Sequence, residues 1–192
     1  MKIYLCRILS ILVIIPTIIS LSKSDSIGAE PMTRNSDQFR VLTYNVFMRF
    51  RNAEKRRENA IAWIAEQQPD VVALQELNDY TEETLQDMAK MWHHPYSQLC
   101  EVKSGFHLGL TSREPLENVH PVTKEGIWHG LIHAQTFGID FFVLHLALKP
   151  EEIRLPETSI ILDTIKQLNS AEQPTILLGD FNSVTRTDAD YY

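Results

Sequence analysis

The stretch Thr175-Ile176-Leu177-Leu178-Gly179-Asp180-Phe181-Asn182-Ser183 decides how this chain is read. Pro174 stands ahead of it and Gly179 closes its apolar part, the pattern of a short buried strand. Asp180 and Asn182 are two residues apart. On an extended backbone both point the same way, about 7 Å apart. A carboxylate and an amide delivered together at the mouth of a core strand suit the handling of a water and a phosphate. The same residues also read as an Asp/Asn turn that closes a strand.

Working outward, similar strands precede it. Phe39–Phe47 contains Val41-Leu42-Thr43-Tyr44 and ends near Asn45, and Asp70–Glu76 is an apolar run ending in a carboxylate. Between them Asn52–Gln68 has its apolar residues clustered after a charged first half, which predicts an amphipathic helix stopped by Pro69, with Trp63 in the core. Thr81–Met91 predicts a second helix. Shorter extended pieces follow at Tyr96–Val102, His107–Ser112 and Glu117–Val122. Ile127–Thr136 and Ile139–Leu148 read as a hairpin turned at Phe137-Gly138, with His129 and His133 on one face of its first strand. Leu155–Leu168 predicts a third helix. This alternation implies an α/β layered fold, with sheets at the centre and helices outside.

Asn45, Glu76, His145 and the Asp180/Asn182 pair all fall at or near the ends of apolar strands. Each has a plain structural reading: a turn cap, a surface carboxylate, or a hydrogen-bonded core histidine. Their joint appearance points to one sheet edge that gathers them. Arg49, Arg51, Lys55, Arg56 and Arg57 follow Asn45 closely. They form either a local basic rim or a solvated helix start.

These segments carry a resemblance. Leu42-Thr43-Tyr44-Asn45-Val46, Pro69–Glu76, Val143-Leu144-His145-Leu146 and Gly179-Asp180-Phe181-Asn182-Ser183 occur in the order found in the endonuclease/exonuclease/phosphatase superfamily. Gly105–Leu116, with Ser112-Arg113-Glu114-Pro115, is similar to its Gly…Ser-Arg-x-Pro strand pair. The resemblance implies a four-layer α/β/β/α sandwich and a metal-dependent phosphoesterase. It implies Glu76 and Asn45 at a divalent cation, Mg²⁺ or Mn²⁺, which suits oxygen ligands. His145, Asp180 and Asn182 become the catalytic residues: Asp180 activates water, His145 assists the leaving oxygen, and Asn182 donates to a phosphate oxygen. Arg49 and Arg51 form the substrate rim. Leu144 stands where the family motif carries Thr, which removes a supporting hydroxyl from His145.

The family continues beyond this point with a further Asp and an Asp-His pair, whereas Asp188 and Asp190 lie too close to Asn182 for that role. The expectation is therefore a domain over 39–192 whose C-terminal part is missing, with an incomplete second sheet and reduced activity. The alternative is a catalytically inactive binding module or fragment on the same scaffold.

Composition is that of a globular protein, 44% hydrophobic and 22% charged over 192 residues. Lys2 and Arg7 precede the apolar run Ile8–Ile19, followed by small residues. This predicts a secretory signal peptide over 1–29 and a flexible lead-in over 30–38, or alternatively an N-terminal membrane anchor. The protein is expected to be exported, periplasmic or extracellular, without stable membrane insertion after cleavage. The net charge is −7. Such a surface attracts neither nucleic acid nor anionic lipid in general. No base-reading element is recognisable, so the expected partner is a phosphoester substrate of open class. Cys100 is left without a pairing cysteine once Cys6 departs, and stability must come from the core.

Overall fold

The computed structural model describes residues 39–169 and 173–183. The predicted leader (1–29) and lead-in (30–38), and Asp188 and Asp190, lie outside those residues. The elements run β1 (Val41–Asn45), α1 (Phe47–Arg51), α2 (Glu54–Gln67), β2 (Val71–Gln75), α3 (Glu82–Lys90), β3 (Tyr96–Cys100), β4 (Leu108–Ser112), β5 (Glu117–Val122), β6 (Leu131–Thr136), β7 (Ile139–His145), α4 (Glu151–Leu168) and β8 (Thr175–Asp180).

The strands form two four-stranded sheets, ordered β1-β2-β4-β3 and β5-β6-β7-β8. β1 and β2 pair in parallel, as do β7 and β8, while the remaining pairs are antiparallel. Among the described residues β8 is paired on one side only, against β7.

Strand alternation sorts the core into layers. On β2, Val71 and Ala73 join Leu108, Leu110, Ile132, Phe141, Val143 and Leu178 between the two sheets. Val72 and Leu74 face the other way, toward Ile61, Ile64, Leu85, Met88 and Trp92 of the helical layer. Behind the second sheet, Leu131, Phe142 and Leu144 meet Ile161 of α4. The result is helix, sheet, sheet, helix, the sandwich expected.

Some local expectations change. Trp63 is 48% exposed rather than core and lies tilted against Tyr44, with ring centroids 6.4 Å apart. It sits beside the stripe that Ile61 and Ile64 bury. α4 begins at Glu151 instead of Leu155 and carries Pro156 inside it. Pro156 is the sixth residue of α4, past the first turn, so its ring removes the amide that would bond the Glu152 carbonyl and weakens the helix there. α3 opens as predicted, with Thr81 and Thr84 exchanging side-chain and backbone hydrogen bonds in a capping box. Cys100 is buried and free, and burial pushes its thiol up to about 11. Among the described residues, no helix is long and apolar enough to cross a membrane.

Candidate functional site

Parallel pairing at one flank of each sheet brings strand C-termini to a common edge. Asn45 ends β1 and stands opposite Gln75, directly before Glu76. His145 ends β7 opposite Asp180, the last residue of β8. The Asn45 amide bridges the sheets: its Nδ2 donates to Glu76 Oε1 at 2.9 Å and to Asp180 Oδ2 at 2.8 Å. Its Oδ1 accepts from the Phe47 amide at 2.9 Å. Turning the amide over would set its oxygen against two carboxylates, so the network fixes its orientation.

Asp180 and Asn182 do not continue as an extended pair. Asn182 N donates to Asp180 Oδ1 at 2.8 Å, the bond of a side-chain turn, and Asn182 has a φ of 44°. The Asn182 side chain donates to the Leu146 carbonyl at 2.6 Å. Gly179, at φ 139°, is required here: a Cβ would lie 1.8 Å from the Leu144 carbonyl oxygen.

His145 is buried, with Nε2 3.8 Å from Asp180 Oδ2 and 4.0 Å from Glu76 Oε1. Its Nδ1 is buried and has no partner among the described residues. Burial lowers the His145 pKa, against the opposing pull of Asp180, Glu76 and Glu157.

Two further participants join the site: His129, read from sequence as a strand residue sharing a face with His133, and Glu157, which was not singled out. His129 lies in the loop before β6, not on a strand face with His133. It stacks on His145 with ring centroids 4.4 Å apart, and its Nδ1 lies 3.0 Å from Ser104 Oγ. Burial first, and then His145, bring its pKa down to about 4. Glu157 of α4 is 1% exposed. It accepts from the Trp128 amide and the Ala147 amide, each at 2.9 Å. The sequence held a signal for it: 157, 161 and 164 form one face of α4, and all three are buried.

Arg49 and Arg51 lie on the segment after β1, which takes an unusual course. Phe47 through Asn52 all have φ between 48° and 57°, a turn of left-handed helix without a glycine. Each such residue costs roughly 1–2 kcal/mol. The segment is held to the site: Met48 N donates to Glu76 Oε2 at 2.7 Å, and Arg49 N to the Glu76 carbonyl at 3.0 Å. Arg51 lies over the Phe47 ring at 4.5 Å, and Arg49 approaches Asp79 at 3.5 Å.

An α/β/β/α sandwich with a polar cluster at its strand C-termini defines the class of scaffold. The model of the Endonuclease/Exonuclease/phosphatase family matches residues 42–190, and the chain belongs to that family. It is similar in fold to an AP endonuclease from Archaeoglobus fulgidus, at 17% identity and TM-score 0.58, covering 76% of this chain and 58% of that one. It is also similar to D. rerio TDP2 complexed with single strand DNA product, at 21% and 0.61, with coverages of 79% and 64%. A third is ANGEL2, a 2′,3′-cyclic phosphatase, in complex with adenosine-2′,3′-vanadate, at 18% and 0.61, with coverages of 77% and 54%. These identities show the fold alone. The chain spans 54–64% of the lengths of these structures. No curated protein matches it.

The expected metal centre is corrected by the structure. Among the described residues, no group of three or more His, Cys, Asp or Glu side chains is placed to hold a metal ion. Mg²⁺ or Mn²⁺ held by Glu76 and Asn45, with Asp180 activating water beside it, therefore does not stand. The physical reason is the Asn45 amide. Its N–H group fills the gap between the two carboxylates, where a shared cation would have to lie. The other oxygen of each carboxylate accepts a backbone N–H, from Met48 and from Asn182. The hard donor atoms are present, but they are turned inward on one another.

Proposed function

We propose that this domain is a phosphoester-binding module on the endonuclease/exonuclease/phosphatase scaffold, one that recognises its ligand without metal-dependent hydrolysis. The observation that carries the reading is the closed Asn45–Glu76–Asp180 network, which spends on internal hydrogen bonds the carboxylates that would otherwise hold a cation. In this reading Arg49 and Arg51 supply positive charge at the rim. His145, as a neutral imidazole, and Asn182 face the ester, while Asp180 and Glu76 hold Asn45 in place. The structures it resembles hold a single-strand DNA product and an adenosine-2′,3′-vanadate, and phosphoester chemistry is what these share with the proposal. The predicted leader places the protein in an exported compartment, with an N-terminal anchor as the alternative.

The test is calorimetric and kinetic. Titration with Mn²⁺ or Mg²⁺ is expected to give no saturable heat, and bis(p-nitrophenyl) phosphate is expected to broaden or shift the His145 and Asn182 resonances without metal-stimulated turnover. Stoichiometric Mn²⁺ uptake that disappears in Glu76→Ala would overturn the reading.

A further inference from the structure

Beside the strand-end cluster, on the far side of the left-handed turn, lies a cavity of about 300 Å³. Arg49, Asn52, Ala53, Glu54 and Arg57 line one side of it, and Asp79, Tyr80 and Thr84 the other. We propose that this cavity binds a phosphate monoester group, gripped by the guanidinium groups of Arg49 and Arg57. The proposal takes the chemistry of its ligand from the reading above but places that ligand at a separate position.

Charge carries the argument first. From Arg49 to Glu58 the chain places Arg49, Arg51, Lys55, Arg56 and Arg57 against only Glu54 and Glu58, within a protein of net charge −7. A concentrated cationic segment on an acidic body is a local attractor for anions. Donor capacity comes next. Arg57 donates through Nη2 to Glu54 Oε1 at 2.5 Å, while its Nε is buried without a partner. The Arg57 side chain is 40% exposed, so its outward N–H groups can also donate to a phosphate oxygen. The two carboxylates in the lining are weak competitors. Glu54 and Asp79 have side chains 66% and 80% exposed, and the Arg49–Asp79 contact is 3.5 Å. Exposed pairs of this kind contribute little, so a dianion can displace them. α2 also begins at this cavity, after Ala53, which provides no side-chain cap, so the positive end of its dipole adds to the same field.

Two arginine forks on one phosphate call for more acceptor oxygens than the two free ones of a diester, which favours a terminal phosphate with three free oxygens and a second negative charge. Free phosphate and the end of a larger ester share this chemistry and are separated by the probes used.

The experiment is isothermal titration of the full chain with inorganic phosphate, phenyl phosphate and diphenyl phosphate. Saturable binding of phenyl phosphate, or of inorganic phosphate if the free ion is the ligand, with diphenyl phosphate at least about tenfold weaker, is expected. Arg57→Ala and Arg49→Ala should each weaken binding by roughly tenfold, as loss of a charge-assisted hydrogen bond does. Glu54→Gln should tighten it severalfold by releasing Arg57, a gain that no folding defect produces. Lys166→Ala, at an exposed residue of α4 outside the cavity lining, should leave it unchanged. Equal affinity in wild type, Arg57→Ala and Glu54→Gln would overturn the proposal, as would absence of binding. Loss in His145→Ala or Asn182→Ala with no effect of Arg57→Ala would move the phosphate to the strand-end cluster, sinking this cavity while leaving the broader function intact.

Discussion

Two glutamates near the same edge of the molecule show what a carboxylate can be used for. Glu157 and Glu76 each accept from two N–H donors. Glu157 projects from α4 into the interior and receives two backbone amides, one from the loop before β6 and one from the segment after β7. Glu76 has a φ of 63° and holds a turn in which six successive residues are left-handed. One carboxylate joins two loops that carry no strain of this kind, and the other restrains a segment that would gain by relaxing. Sequence position at a strand end does not separate a ligand-binding carboxylate from an architectural one. The direction of the neighbouring N–H groups does.

The largest expected effect comes from removing the buried member. Glu157→Ala leaves the Trp128 and Ala147 amides without an acceptor in a site that water does not readily reach. At about 1–3 kcal/mol for each unsatisfied buried donor, the loss should total about 3–5 kcal/mol. Glu76→Ala also removes an acceptor from two donors, but Met48 is half exposed and its amide can turn to water, and release of the left-handed turn repays part of the cost. A loss of about 1–2 kcal/mol is expected there. Urea unfolding of the two variants measures the gap, and equal losses would erase the distinction.

A smaller effect has the opposite sign to the usual one. Met48→Gly places glycine at φ 48°, where a side chain is strained, and should stabilise the protein by about 1 kcal/mol. Glu58→Gly, on the exposed face of α2, should cost about the same amount. Thermal melts of the pair decide it. If Met48→Gly destabilises the protein as Glu58→Gly does, the turn is not a reservoir of strain.

Much of this architecture was legible in the chain. The apolar strands ending at Asn45, Glu76, His145 and Asp180 are found where alternation and punctuation place them, and their ends do converge. The misreadings have local causes. Periodicity marks Trp63 as apolar on a helix but does not show that the stripe buried by Ile61 and Ile64 leaves it at the margin. A histidine before Gly130 looks like part of a strand until the glycine, at φ 74°, turns the chain and lets His129 stack on His145. Nothing in Phe47-Met48-Arg49-Phe50-Arg51-Asn52 announces a left-handed turn, because the residue that normally marks one is absent. The metal reading failed at the finest level. The residue types were those expected, but whether Asn45 presents its oxygen or its N–H to Glu76 and Asp180 depends on the Phe47 amide, a partner fixed only by the folded backbone.

The last effect is a pH dependence, centred on the side that Glu157 clamps. His129 has a folded pKa of about 4, against 6.5 for an unperturbed histidine, and His145 and His94 are shifted in the same direction by burial. A lowered histidine pKa means that the unfolded chain binds the proton more readily than the folded one. Stability is therefore complete above about pH 6.5, falls as pH drops toward 4, and levels off below that for this group. His129→Gln should flatten the slope of stability between pH 6.5 and 5. Its neighbour Trp128, held by Glu157, should exchange its amide proton faster at pH 5 than at pH 7 once intrinsic exchange is corrected for, while the Met48 amide on Glu76 should respond less. An unchanged slope in His129→Gln would remove the histidine stack as its source. Equal acid sensitivity at Met48 would show that the two carboxylate-held regions open as one.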